Sequence, residues 1–245
     1  MNSPLTTFPI GAFFSQFLAA VPELWPRFAL AWLAALVGLV IVVSLLKKLI
    51  RPQVLRGDAR IRAWAKRVRY QDAVAAGDDA IERHRRTWFF RFWTNFASAP
   101  TLSVFSLATA IWATGNVAEP RLFYLPGLAY GGSMLLSWVS KRVFKRARPE
   151  RAPGAFGHKL ADGSFPSGHS LTSFCFWFML AAAAITAGLP GAVVSTLILA
   201  AFAVVTLTGL SRIYLGVHFP SDVLGGYGIG AAWCALCYFA LHPLL

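Results

Sequence analysis

The chain has 245 residues and a net charge of +13, with 57% hydrophobic and only 13% charged residues, and a mean hydropathy of +0.57. A soluble domain of this size carries about a quarter charged residues, so the composition excludes an ordinary soluble enzyme and points to an integral membrane protein. Nucleic acid would be one partner for so basic a chain, but the charges lie in loops between apolar runs, where anionic lipid headgroups and phosphate are better matched.

Residues 10–21 place Ile10, Phe13, Phe14, Phe17, Leu18 and Val21 at helical spacing. That pattern predicts a short helix lying in the membrane interface, too short to span. The first basic residue is Arg27, so no basic segment precedes an apolar stretch and no cleavable signal peptide is expected. Six stretches approach the roughly 20 apolar residues that a spanning helix needs: 28–46, 96–114, 122–140, 170–187, 191–210 and 223–241. The fold class expected is therefore an all-α membrane bundle of about six spans. The second span is the weakest, with several Ser/Thr and Pro100 near its start.

The segment 47–91 is the one sizeable stretch outside these spans. Ile61, Trp64, Ala65 and Val68, set among Arg60, Arg62, Lys66, Arg67 and Arg69, fit a basic amphipathic helix leaning on anionic headgroups. Residues 1–95 thus read as an N-terminal region of interfacial helix, first span and basic loop, and 96–245 as the main membrane domain. Cys234 and Cys237 form a CxxC, but on an apolar helix they are i, i+3 neighbours, as suited to packing as Cys175. Gly226 and Gly230 form a GxxxG that favours close helix packing.

Span parity brings two short loops to one membrane face. The 141–169 loop opens KRVFKRARPER and closes FPSGHS; the 211–222 loop reads SRIYLGVHFPSD. Two histidines, several guanidinium groups and a carboxylate meet there. Arginine binds phosphate bidentately and keeps its charge. Ser167 and Gly168 stand at the start of a predicted helix, whose free N–H groups and dipole favour an anion. One histidine can attack phosphorus while the other protonates the leaving oxygen. Asp222, four residues after His218, can fix its tautomer. Taken singly, each residue has a duller use: a polar headgroup contact, a positive flank, a helix N-terminal acid. Their convergence on one face favours phosphoryl chemistry that needs no metal and no cofactor.

The three segments Lys141–Pro149 (K-x6-R-P), Pro166–His169 (P-S-G-H) and Ser211–Asp222 (S-R-x5-H-x3-D) resemble the three-part signature of the type 2 phosphatidic acid phosphatase superfamily, the membrane-bound lipid phosphate phosphatases. Every signature position is matched in order, and the resemblance covers about residues 122–241. It implies a lipid phosphate phosphatase with His218 as nucleophile, Asp222 orienting it, and His169 as general acid and then base. Lys141, Arg148, Ser167, Gly168 and Arg212 would hold the phosphate. His84, His158 and His242 match no signature position.

Substrates of that kind include phosphatidic acid, phosphatidylglycerol phosphate and polyprenyl diphosphate. Two rivals remain: a lipid phosphotransferase, in which another acceptor replaces water, and a non-catalytic lipid-phosphate binding or transport protein. The second predicts a damaged nucleophile or acid, and His169, His218 and Asp222 are intact. Setting aside Lys141, Arg148 and Arg212, the basic residues divide eighteen to two in favour of the site's own face. The positive-inside rule then places that face in the cytoplasm of a bacterial inner membrane. The resemblance instead associates many bacterial members with the outer face.

Overall fold

A computed structural model describes residues 9–49, 51–76, 85–149 and 162–244. The elements are helical: α1 (Pro9–Leu49), α2 (Arg51–Ala76), α3 (Arg85–Asn95), α4 (Ala99–Asn116), α5 (Leu125–Phe144), α6 (Gly168–Thr186), α7 (Gly191–Tyr214) and α8 (Pro220–Leu241). A 3-10 turn at Pro120–Tyr124 leads into α5, and another at His242–Leu244 follows α8. Among the described residues, five helical units are long and apolar enough to cross a membrane, and six if α3 and α4, bent by 46° at their junction, form one span. This is an all-α integral membrane bundle.

Two details differ from the sequence expectation. Residues 10–21 are not a separate interfacial helix. They are the first turns of the continuous α1, which runs through Pro22 and Pro26. Proline ordinarily breaks a helix interior by removing a bond and crowding the preceding turn. Here the buried stripe Phe13, Ala20, Leu24, Phe28 and Ala31 stays at helical spacing across both prolines, so one packed face holds the helix together. The second span also begins differently. Ser98 caps α4, its hydroxyl accepting from the Thr101 amide, with Pro100 in the first turn. The helix therefore stops and restarts there, and α3 supplies the other limb.

The core centres on α6, which packs against α5, α7 and α8, and α1 closes over it where it meets α8. Trp233 is fully buried and donates its indole N–H to the Ala129 carbonyl at 2.7 Å. Phe28 meets it edge-on, with ring centroids 5.6 Å apart, and Trp32 donates to the Gly132 carbonyl at 3.1 Å. The GxxxG glycines of α8 face α6: a Cβ on Gly226 would sit 3.0 Å from the Ser167 carbonyl, and one on Gly230 3.0 Å from the Phe174 ring. The three cysteines are free thiols in this packing. Leu30, Leu33, Leu199, Phe202, Leu224 and Phe239 are exposed, as lipid-facing residues are. Trp25, Trp88, Trp112 and Trp138 are exposed too, whereas Tyr124 is buried against Phe13 and Phe17.

A Cβ on Gly132 would lie 2.3 Å from the Trp233 ring. Gly132→Val should therefore force the tryptophan out of place and destabilise the bundle by about 1–3 kcal/mol. A thermal unfolding scan in detergent should show a lower midpoint for this variant, and an unchanged one for Gly131→Ala, where nothing lies within 4 Å.

Candidate active site

The site forms where α6 and α8 begin and α5 and α7 end. Ser167 caps α6, and its own amide donates to the Asp222 carbonyl at 3.0 Å. That bond ties the start of α6 to the first turn of α8. Ser170 donates its hydroxyl to Ser167 Oγ at 2.9 Å. Gly168 packs so closely that a Cβ there would lie 3.2 Å from Ser137 Oγ and 3.8 Å from Lys141 Nζ. His169 stands half-buried on the first turn of α6.

Asp222 is fully buried. Its Oδ1 accepts from Arg146 at 2.7 Å, and its Oδ2 accepts from the Phe219 amide at 2.9 Å and from the Ser164 hydroxyl. His218, 3% exposed, turns Nδ1 toward Asp222 Oδ2 at 3.5 Å. That separation is too long for a well-formed hydrogen bond, and Nδ1 has no other partner. The other ring nitrogen, Nε2, lies 3.3 Å from Arg148. A guanidinium has donors only, so Nε2 is the acceptor and the ring proton sits on Nδ1, facing Asp222.

The cations surround this pair. Arg148 also donates to the Val217 carbonyl at 3.1 Å and to both the carbonyl and the carboxylate of Asp162. Lys141 pairs with the other Asp162 oxygen at 2.6 Å. Arg212 is buried and bonded to Thr94 at 2.9 Å, while its Nε has no partner. All eight residues singled out from the sequence thus stand in this region, on or beside the starts of α6 and α8 and the ends of α5 and α7.

Residues 122–243 match the PAP2 superfamily. The chain is 31% identical over 169 residues to phosphatidylglycerophosphatase B of Bacillus subtilis (strain 168), an alignment covering 66% of this chain and 81% of that protein. The chain belongs to the PAP2 superfamily. It is also 35% identical over 136 residues to an Escherichia coli (strain K12) protein provisionally named undecaprenyl-diphosphatase YbjG, covering 52% of this chain and 61% of that one. The crystal structure of a transmembrane PAP2-type phosphatidylglycerolphosphate phosphatase from Bacillus subtilis superposes with a TM-score of 0.66. Its sequence identity is 25%, over 86% of this chain and 97% of that chain.

The PAP2 signature positions do not include four residues that the structure adds: Asp58, Arg146, Asp162 and Ser164. Arg146 was hidden in a basic run. Three of the four are polar residues with no motif spacing to betray them. The available signal was scarcity: a chain with 10 acidic residues against 23 basic ones places three of the ten, Asp58, Asp162 and Asp222, here. His84 and His158 lie outside the described residues, and His242 stacks on Tyr238 beyond the far end of α8.

Charge in the site follows the packing. Asp162 would be raised by partial burial, but Lys141 and Arg148 outweigh that and hold its carboxyl below the usual range. Burial pushes the His218 imidazole down to about 4; Asp222 opposes the shift, and Arg212 and Arg148 reinforce it. Between the ordinary value of 6.5 and about 4, an unfolded chain binds a proton that the folded site refuses. Folded-state stability therefore falls as pH drops through that window. In ¹³C-histidine-labelled protein, the resonance absent from His218→Ala should stay neutral at pH 6 and titrate well below it. A midpoint at or above 6.5 would show that the ring is not held neutral.

Proposed function

We propose that the protein hydrolyses a phosphate monoester or diphosphate carried by a lipid, through a phosphohistidine on His218 and without a metal. The observation that carries this reading is the orientation of His218: Nδ1 toward Asp222, and the Nε2 lone pair toward the cation cluster. A neutral imidazole with that tautomer is a ready nucleophile. In the first step Nε2 bonds to phosphorus, the bond from phosphorus to the lipid oxygen breaks, and His169 gives that oxygen its proton. Asp222 stabilises the positive charge left on the His218 ring. In the second step His169 takes a proton from water as the water oxygen attacks phosphorus. The N–P bond breaks, and inorganic phosphate and neutral His218 result.

Lys141, Arg148 and Arg212, with the backbone at Ser167 and Gly168, would hold the phosphoryl oxygens as charge spreads over them. The unpartnered Nε of Arg212 suits an anionic oxygen. Phosphate would take over the Arg148 donor now on Nε2, which frees the lone pair for attack. The relatives' names support a phospholipid monoester such as phosphatidylglycerol phosphate first, with a polyprenyl diphosphate second. The exposed Ile61 and Trp64 of α2, beside exposed Arg60, Lys66 and Arg67, fit a helix resting on anionic headgroups.

Purified protein in detergent should release phosphate from these lipids with EDTA present. His218→Ala should lower kcat by about a thousandfold or more, while inorganic phosphate still binds because Arg148 and Arg212 remain. Loss of all turnover to EDTA, or full turnover in His218→Ala, would overturn the mechanism.

The eighteen-to-two bias of basic residues supports a cytoplasmic site face in a bacterial inner membrane. In a chain with its native cysteines replaced, a single cysteine introduced at exposed Arg67 should resist a membrane-impermeant thiol reagent in intact cells and react after lysis. Labelling in intact cells would place the site outside.

A further inference from the structure

Asp58 lies on α2, outside the residues that match the PAP2 superfamily, and is 4% exposed. A buried carboxylate is costly unless paired and hydrogen-bonded, and this one is fully engaged at the start of α8. Its Oδ1 accepts from the Ser221 amide at 2.9 Å. Its Oδ2 accepts from the Ser221 hydroxyl at 2.6 Å and from Arg146 at 2.7 Å. Position matters here. The N-cap of α8 is Phe219 and its first residue is Pro220. A phenylalanine side chain cannot accept the free amides of a helix start, which Ser, Thr, Asp or Asn ordinarily do. Asp58 provides that cap from a helix 163 residues away in sequence.

Arg146 joins this cap to the catalytic pair. One terminal nitrogen binds Asp58; the other binds Ser221 Oγ and Asp222 Oδ1, each at 2.7 Å. The guanidinium also stacks 4.3 Å above the Phe219 ring, which follows His218 directly. With Oδ1 taken by Arg146, the other Asp222 oxygen is the one that faces His218. Rotation of the carboxylate would break the Arg146 bond, and movement of Arg146 would leave Asp58 unpaired.

We infer that Asp58 and Arg146 are positioning residues for phosphoryl transfer: an ion pair between α2 and the segment after α5 that locks the Asp222 carboxylate with Oδ2 toward His218. The inference rests on the proposed role of His218 as nucleophile. The side chains of Asp58 and Arg146 engage each other, Ser221, Asp222 and the Phe219 ring rather than the cation cluster, so the pair acts on turnover rather than on phosphate binding.

The test is phosphate release from phosphatidylglycerol phosphate in detergent micelles, together with inorganic phosphate binding, for Asp58→Asn, Arg146→Gln, their double variant and Arg146→Lys. Asp58→Asn and Arg146→Gln should each lower kcat about ten- to a hundredfold, with KM and the phosphate Kd within about twofold. Because both belong to one network, the double variant should be no slower than Arg146→Gln alone. Arg146→Lys keeps the charge but cannot span three acceptors, and should fall between wild type and Arg146→Gln. If Arg146→Gln does not fold, Arg146→Lys and Asp58→Asn decide the matter. Wild-type kcat in both, or losses that multiply in the double variant and raise KM equally, would overturn the inference. His218→Ala serves as the control: if it keeps full turnover, the nucleophile assignment fails instead.

Discussion

The buried charge of Asp222 is the constraint around which the site is assembled. An isolated carboxylate moved out of water costs several kcal/mol, and Asp222 has no exposed surface. Its oxygens are satisfied by Arg146 from the segment after α5, by Ser164 from the approach to α6, and by the amide of Phe219 at its own helix start. Its backbone carbonyl in turn accepts the Ser167 amide. One charge thus stitches both ends of the 141–169 loop to the start of α8. The loops of the site hold their shape because releasing any of them would leave this carboxylate under-solvated.

The same logic explains why the cations stay together. Lys141, Arg148 and Arg212 repel one another, and acceptors hold each in place against that repulsion: the Asp162 carboxylate bridges the first two, the Val217 carbonyl accepts from Arg148, and Thr94 accepts from Arg212. Thr94 belongs to α3, the outer limb of the bent second span, so the break at Ser98 has a use. It lets the first limb run along the end of α7, where Thr94 reaches Arg212, Thr87 meets the Tyr214 hydroxyl at 3.3 Å and Phe90 stacks on the same ring.

Much of this was legible in the sequence, because membrane spans announce themselves by runs of apolar residues and the signature positions sit at fixed spacings. Spans three to six begin and end within a few residues of the expected positions. Legibility failed where the deciding force was tertiary. Residues 10–21 read as a separate interfacial helix, yet the buried face of α1 carries it unbroken through Pro22 and Pro26. Asp58 stands in the segment read as a basic amphipathic helix and carries no motif spacing of its own. Its burial depends on Phe219 being unable to cap α8, a deficit visible only once the start of that helix is known. Asp162 and Ser164 stand on a loop with no periodicity to read, so their contacts with Arg148 and Asp222 follow from the fold alone.

The up-and-down order of the bundle gives the site its polarity. Helices α5 and α7 end on the face where α6 and α8 begin. Helix C-termini stabilise cations, and N-termini stabilise anions. Lys141 and Arg212 occupy the last turns of α5 and α7, where their charges are favoured before any substrate arrives. Ser167, Gly168 and Asp222 occupy the first turns of α6 and α8, where free amides and dipoles favour negative charge. Alternating connectivity therefore interleaves two cation-holding ends with two anion-holding ends on one surface. A phosphate there meets helix starts and basic side chains together, while the apolar flanks of the same helices face lipid. For a phosphate attached to a lipid tail, that places both halves of the substrate in matching surroundings.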